Sequence, residues 1–245
     1  LGRGEDAEAW RAEAARLRRA FADAYLDADC RILSDAPAVY ALGIVSGILE
    51  GPALQAAGDR LAELVRAAGH RVVAGFAGAP YLCDALTRTG HLDDAYALLL
   101  GRDEPSWLSP LARGATTVWE RWDSLRADGT VNPGEMTSFN HYALGAVADW
   151  MHRTVVGISP AAPGYARVRI DPRPGGGLSW ARGSVVTPHG LVAVQWHQDA
   201  AGSVTVTYCA PDEVEIELGS VAADRAVRLP AEAFRDDLVA DAALR

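Results

Sequence analysis

Gly114-Ala115-Thr116-Thr117-Val118-Trp119-Glu120-Arg121-Trp122-Asp123 sets two Trp, a Glu, an Asp and an Arg side by side. Burying such a set is costly, because a carboxylate taken from water needs donors or a counter-charge and each indole needs a partner for its N–H. The stretch therefore reads as the wall of a pocket. After the loop Asp128-Gly129-Thr130-Val131-Asn132-Pro133-Gly134 comes Ser138-Phe139-Asn140-His141-Tyr142-Ala143, at the head of an apolar run. One loop thus separates a carboxylate flanked by Trp from an imidazole flanked by Asn and Tyr.

Upstream, the apolar period is helical. Trp10, Ala14, Leu17, Phe21 and Tyr25 recur every three or four residues and predict one amphipathic helix over about 5–29. A second is expected over Val39–Leu49, after the cap-like Asp35-Ala36-Pro37 and up to the stop Gly51-Pro52, and a third over Arg60–Ala68. Tyr81–Arg88, Leu92–Leu100 and Asn140 to about Val155 complete six. Beyond Ile158 the period changes to alternation in 167–170, 191–196, 204–208 and 214–218, with turns at 172–177 and 188–190. The expected organisation is an α-helical domain over residues 1–160 and an antiparallel β-sandwich over 161–245.

Composition removes several classes of function. With 23 basic against 32 acidic residues the net charge is −9, so phosphate backbones are poor partners and no nucleic acid is expected. Every basic residue is Arg, which excludes Schiff-base chemistry, a P-loop and a kinase-type clamp, each of which needs a lysine amine. Cys30, Cys83 and Cys209 form no Cys-x-x-Cys pair, and the six His show no ligand spacing, so no metal and no cofactor are expected. No apolar run approaches the roughly 20 residues that span a bilayer, and no membrane partner is expected. The start Leu-Gly-Arg-Gly carries no signal-like segment, and localisation is left open.

The Thr-Thr-x-Trp-Glu-Arg-Trp-Asp segment 116–123 and the Phe-Asn-His-Tyr-Ala segment 139–143 resemble the bacterial α-L-rhamnosidases of glycoside hydrolase family 78. Gly75-Phe76-Ala77-Gly78-Ala79-Pro80-Tyr81-Leu82, Pro105-Ser106-Trp107 and Val156-Gly157-Ile158 also match, so the likeness runs over about residues 36–200. The resemblance implies a ring of helical hairpins, an (α/α)6 toroid, followed by a β-sandwich. Six helices would be the C-terminal half of that ring. The first half, with the general acid of an inverting hydrolysis, would be supplied by the same polypeptide or another chain, and the helices at the open ends would expose apolar stripes. The implied partner is a rhamnose-containing glycoside.

For Glu120 the alternatives are a solvated or capping carboxylate and, by the resemblance, the general base, which must be ionised and within reach of the attacking water. For His141 they are a histidine satisfied by its neighbours and a contact to sugar hydroxyls, with Asn140 beside it. Trp119, Trp122 and Trp107 are core aromatics or platforms for the apolar face of a sugar. Arg121 and Asp123 read as a local ion pair orienting the segment. Two other function classes stay open, a non-catalytic carbohydrate-binding or assembly module and a different (α/α)-toroid glycosidase or lyase.

Overall fold

Proline and glycine place the helix ends in the first part of the chain, though not always where their order suggests. The computed structural model describes residues 3–223 and 225–234, so residues 235–245 of the expected β-domain lie outside the described residues. The helices are α1 (Gly4–Tyr25), α2 (Pro37–Val45), α3 (Gly51–Ala67), α4 (Ala79–Arg88), α5 (Leu92–Leu100) and the short α6 (Leu108–Ala112). Gly51-Pro52 starts α3 instead of stopping α2, because Pro in the first turn gives up an N–H that has no partner there. The helix α2 ends earlier, at Val45, ahead of Gly47 with φ +71°.

Chain contacts divide the protein into two compact units between Val147 and Ala148. In the first, α2 packs on α3 and α4, α4 packs on α5, and α3 reaches both α4 and α5. The core between them holds Tyr40 and Ile44, Leu61 and Val65, Leu82 and Leu86, and Tyr96 and Leu98, all buried. Each such side chain contributes about 1.5–3 kcal/mol on leaving water. Gly58 lets α3 approach the end of α4, where a Cβ would collide with the Thr89 side chain. Buried Asp94 on α5 takes two hydrogen bonds from Arg66, at 2.6 and 2.9 Å, and lies 2.9 Å from His70 Nε2. By contrast α1 has no buried residue, and Trp10, Leu17 and Tyr25 are 73%, 47% and 55% exposed on its apolar side.

The helix expected over 140–155 is corrected by the structure. Residues 140–143 are irregular, a 3-10 turn spans Leu144–Ala146, one α turn Val147–Trp150, and a π-helical turn Met151–Val156 ending at Gly157 with φ +88°. The head of this segment is tied instead to the 118–120 stretch, through His141 N–H on Val118 O at 2.8 Å and Glu120 N–H on Ser138 O at 2.9 Å.

The second unit carries two sheets. One is β1 (Ile158–Pro160), β2 (Arg167–Ile170) and β6 (Glu215–Leu218), and the other is β3 (Trp180–Thr187), β4 (Gly190–Gln198), β5 (Val204–Cys209) and β7 (Ala226–Arg228), in those orders. The β1·β2, β3·β4 and β4·β5 ladders are antiparallel, whereas β2·β6 and β5·β7 are parallel, so the sandwich-like domain is antiparallel-rich and not purely antiparallel. Strand β4 is covered on both faces. Val192, Val194 and Trp196 are buried on one, with Trp196 Nε1–H donating to Val155 O at 2.7 Å, and Ala193 packs with Cys209 and Phe234 on the other.

Candidate active site

The two motif segments are tied together by their backbones. Glu120 N–H donates to Ser138 O at 2.9 Å and His141 N–H donates to Val118 O at 2.8 Å. Thr117 Oγ1 donates to Phe139 O. Ser138 N–H in turn donates to Glu120 Oε2 at 3.1 Å, so the carboxylate is held by the segment its own backbone holds. His141 Nε2 lies 3.8 Å from the other oxygen, Oε1, and its ring stacks on Tyr142 with centroids 5.3 Å apart and planes 3° apart. Phe76 stands on another side of that imidazole, its centroid 6.0 Å away.

A polar brace holds the loop between these segments. Arg121 grips Asp123 through Nε at 2.9 Å and Nη2 at 3.1 Å, and its Nη1 donates to Glu135 O at 3.2 Å. Asn132 donates to Asp123 Oδ2 at 2.8 Å and accepts from Gly134 N–H at 2.9 Å. The Arg121 hydrogen bonds, against a smaller opposing effect of burial, hold the Asp123 carboxyl below the usual carboxylate range. Further out, Leu125 and Val131 form an antiparallel bridge and Asn132 N–H donates to Ser124 O at 2.9 Å. The expectation of an Arg121–Asp123 pair thus understates a five-residue network.

Glu120, Trp122, Gly75, Phe76 and Met136 line a cavity of about 330 Å3 in this unit. The Glu120 side chain is 14% exposed and the His141 side chain 27%, so both are accessible yet shielded from bulk water. A fixed carboxylate with one oxygen anchored and the other beside an imidazole is placed to take a proton from water and to orient a hydroxyl. Among the described residues no cluster of three or more His, Cys, Asp or Glu is placed to hold a metal ion.

Not every predicted residue meets there. Trp119 is buried and packs edge-on against Phe139, with centroids 5.3 Å apart. With Trp107 and Trp122 it lines a separate apolar cavity of about 160 Å3, where Trp107 Nε1–H is spent on Leu144 O at 2.9 Å. Trp122 borders both cavities. Asn140 is exposed, its N–H donating to Ser138 Oγ at 3.2 Å. Sequence reasoning missed Phe76, Met136 and Ser138 as parts of this site. For Phe76 a signal existed in its Gly-punctuated loop, whereas nothing in the sequence marks Met136, whose φ is +59°.

Comparison with known proteins bears on this geometry. The family model for the bacterial α-L-rhamnosidase 6-hairpin glycosidase domain matches residues 1–155, and that for the bacterial α-L-rhamnosidase C-terminal domain matches 157–228. An α-L-rhamnosidase of Streptomyces avermitilis is 41% identical over 209 residues, which is 85% of this chain and 20% of that protein. The crystal structure of the Streptomyces avermitilis enzyme complexed with L-rhamnose superposes with a TM-score of 0.79 at 41% identity, covering 83% of this chain and 20% of that one. The α-L-rhamnosidase of Aspergillus terreus gives a TM-score of 0.85 at 33% identity, covering 89% and 25%. The chain therefore spans about a fifth to a quarter of the length of these relatives.

Proposed function

The chain belongs to the bacterial α-L-rhamnosidase family, and from that premise we propose that it supplies the water-activating side of an inverting hydrolysis of terminal, non-reducing α-L-rhamnose. Glu120 is the general base. Its Oε2 is anchored by Ser138 N–H, which leaves Oε1 to take the proton of a water that attacks the anomeric carbon. His141 and Trp122 contact the sugar, His141 through hydroxyls and Trp122 through the apolar ring face, with Asn140 at the rim. Trp119 and Trp107 back the segment from its other side. The observation that carries this proposal is the anchored carboxylate that lines a cavity large enough for one sugar, with the His141 imidazole 3.8 Å from its other oxygen.

An inverting enzyme also needs a general acid roughly 6.5–9.5 Å from the base, across the sugar. The other carboxyls bordering the cavity are Asp123 and Glu135. Asp123 is a poor proton donor, because Arg121 and Asn132 stabilise its charged form. Glu135 belongs to the loop that follows the base in the chain and lines the same cavity. These placements support an acid on the remaining part of the hairpin ring, on the same polypeptide or another chain, and the uncovered face of α1 supports a partner of that kind. The helical portion of the site is assigned to residues 1–160 and the β-domain to 161–245 as part of the same proposal.

The test is Glu120→Gln in the full-length enzyme. A drop in kcat of at least about 100-fold on an aryl rhamnoside, with the melting temperature unchanged, is expected for loss of a general base. Turnover near wild type would return Glu120 to the role of a capping carboxylate.

A further inference from the structure

Arg113 lines neither the Glu120 cavity nor the Trp cavity, yet its guanidinium grips the segment that carries Glu120. Nη1 donates to Trp122 O at 3.3 Å and to Leu125 O at 2.8 Å, and Nη2 donates to the Glu104 carboxylate. The arginine directly follows α6, where Ala115 N–H on Pro110 O at 3.0 Å and Gly114 at φ +83° end the helix and turn the chain back. Its side chain is 21% exposed and that of Glu104 32%, so the pair is largely shielded from water. Glu104 is tied onward. The next residue, Pro105, accepts Val72 N–H at 2.8 Å, and the stretch that Val72 begins runs on to Ala74, Gly75 and Phe76 in the lining of the Glu120 cavity.

We infer that Arg113 is a positioning residue for the hydrolysis, setting the backbone around Glu120 by holding the Trp122 and Leu125 carbonyls against Glu104. The inference rests on the hydrolase proposed above. Arg121, Asp123 and Asn132 brace the turn after Glu120 to its own loop, whereas Arg113 ties that turn to a different part of the chain. The base thus lies between two pins, Ser138 on Glu120 itself and Arg113 on the carbonyl two residues further on. Both are needed to fix a direction as well as a point. The three acceptors lie on two different guanidinium nitrogens, a spread that the planar fork covers and a lysine ammonium, a single compact donor centre, does not. A shift of about 1 Å in a reacting group, caused from a distance, costs on the order of 100-fold in rate.

The test measures kcat and KM of the full-length enzyme on p-nitrophenyl α-L-rhamnoside, with the folded fraction read by near-UV circular dichroism. Arg113→Lys keeps a charge opposite Glu104 but gives up the fork, and kcat per folded molecule should fall by about 10–100-fold with KM nearly unchanged. Glu104→Gln keeps an acceptor for Nη2 and both carbonyl bonds, so its kcat should stay within about threefold of wild type, the effect of weakening a part-exposed ion pair. Wild-type kcat in Arg113→Lys overturns the inference. So does activity lost only in proportion to folded protein, in Arg113→Lys and Arg113→Gln alike, which would make Arg113 a residue of the fold. An equal loss of kcat in Glu104→Gln, or a loss carried by KM, overturns it as well. The underlying hydrolase proposal fails in a different place, through Glu120→Gln turning over the rhamnoside at the wild-type rate, whatever the Arg113 variants do.

Discussion

Ser138 and Glu120, 18 residues apart, clasp each other twice, with Glu120 N–H on Ser138 O at 2.9 Å and Ser138 N–H on Glu120 Oε2 at 3.1 Å. One bond fixes the backbone and the other fixes the functional carboxylate relative to it. A flexible Glu side chain loses rotamer freedom when ordered, and here that cost is met before any substrate arrives.

Ser138→Pro removes the donor to Oε2 while leaving the carbonyl that receives Glu120 N–H. In the full-length enzyme kcat should fall by about 10–100-fold, the penalty typical of a misplaced catalytic group, with KM nearly unchanged. Ser138→Ala keeps the N–H and should stay near wild type. Equal losses in both variants would show that the hydroxyl, and not the amide, matters.

His141→Ala should weaken rhamnose binding without unfolding the protein, because the ring is in contact with Glu120, Tyr142 and Phe76 but is not part of the buried core. Loss of one neutral hydrogen bond corresponds to about 0.5–1.5 kcal/mol, a factor of roughly 2–13 in Kd. Titration calorimetry with L-rhamnose reads this directly. Unchanged affinity with a collapsed melting temperature would make His141 a packing residue.

Asp94 governs a pH dependence of stability remote from the site. Burial by itself would raise its pKa, but hydrogen bonds from Arg66 and His70 outweigh it and hold the carboxyl below its ordinary value. A carboxyl lowered in the folded state stabilises the fold above the unfolded pKa of about 3.9, and that contribution is lost as pH falls through the folded value. Asp94→Asn should destabilise the fold at neutral pH by about 1.5 kcal/mol, the low end for hydrogen bonds to a charged group, because the Arg66 partner is half exposed. The gap in unfolding free energy between variant and wild type should close below about pH 4. A gap that persists unchanged at lower pH would show that packing at Asp94, and not its charge, is what the variant loses.

The uncovered side of α1 predicts association. Trp10, Leu17 and Tyr25 are exposed along one side of a helix with no buried residue, and apolar patches above a few hundred Å2 are unusual on soluble monomers. The 245-residue chain in isolation should scatter light as oligomers at micromolar concentration, and Trp10→Glu with Leu17→Glu should shift it towards monomer. A strictly monomeric wild type would remove the argument for a covering partner.

Periodic segments were legible and backbone detours were not. The spacing along α4 and α5 gives their bounds nearly to the residue, because each shows one apolar face against one core. β3 escaped notice because Arg182-Gly183-Ser184 interrupts its alternation, and Gly183 is there for a tertiary reason, since a Cβ would press on Val156. Segment 140–143 looked helical because it leads into the apolar spacing of Leu144, Val147 and Met151, yet His141 N–H is bonded to Val118 O and Asn140 N–H to Ser138 Oγ. At the site, Glu120 and His141 stood out through their aromatic neighbours. Met136 did not, because its place in the cavity follows from one left-handed backbone angle that no local pattern encodes.

The clasp also makes residues 121–137 an exchangeable module. Their ends are pinned by the bonds between 118–120 and 138–141, so the carboxylate is set by the pins and not by the length of what lies between. Doubling a closed loop costs only about 0.6 kcal/mol in chain entropy. Insertions beyond the Leu125–Val131 bridge are therefore tolerated in principle, and a lineage or an engineer could remodel the wall around the sugar by grafting this loop alone, while the proton-accepting group keeps its position.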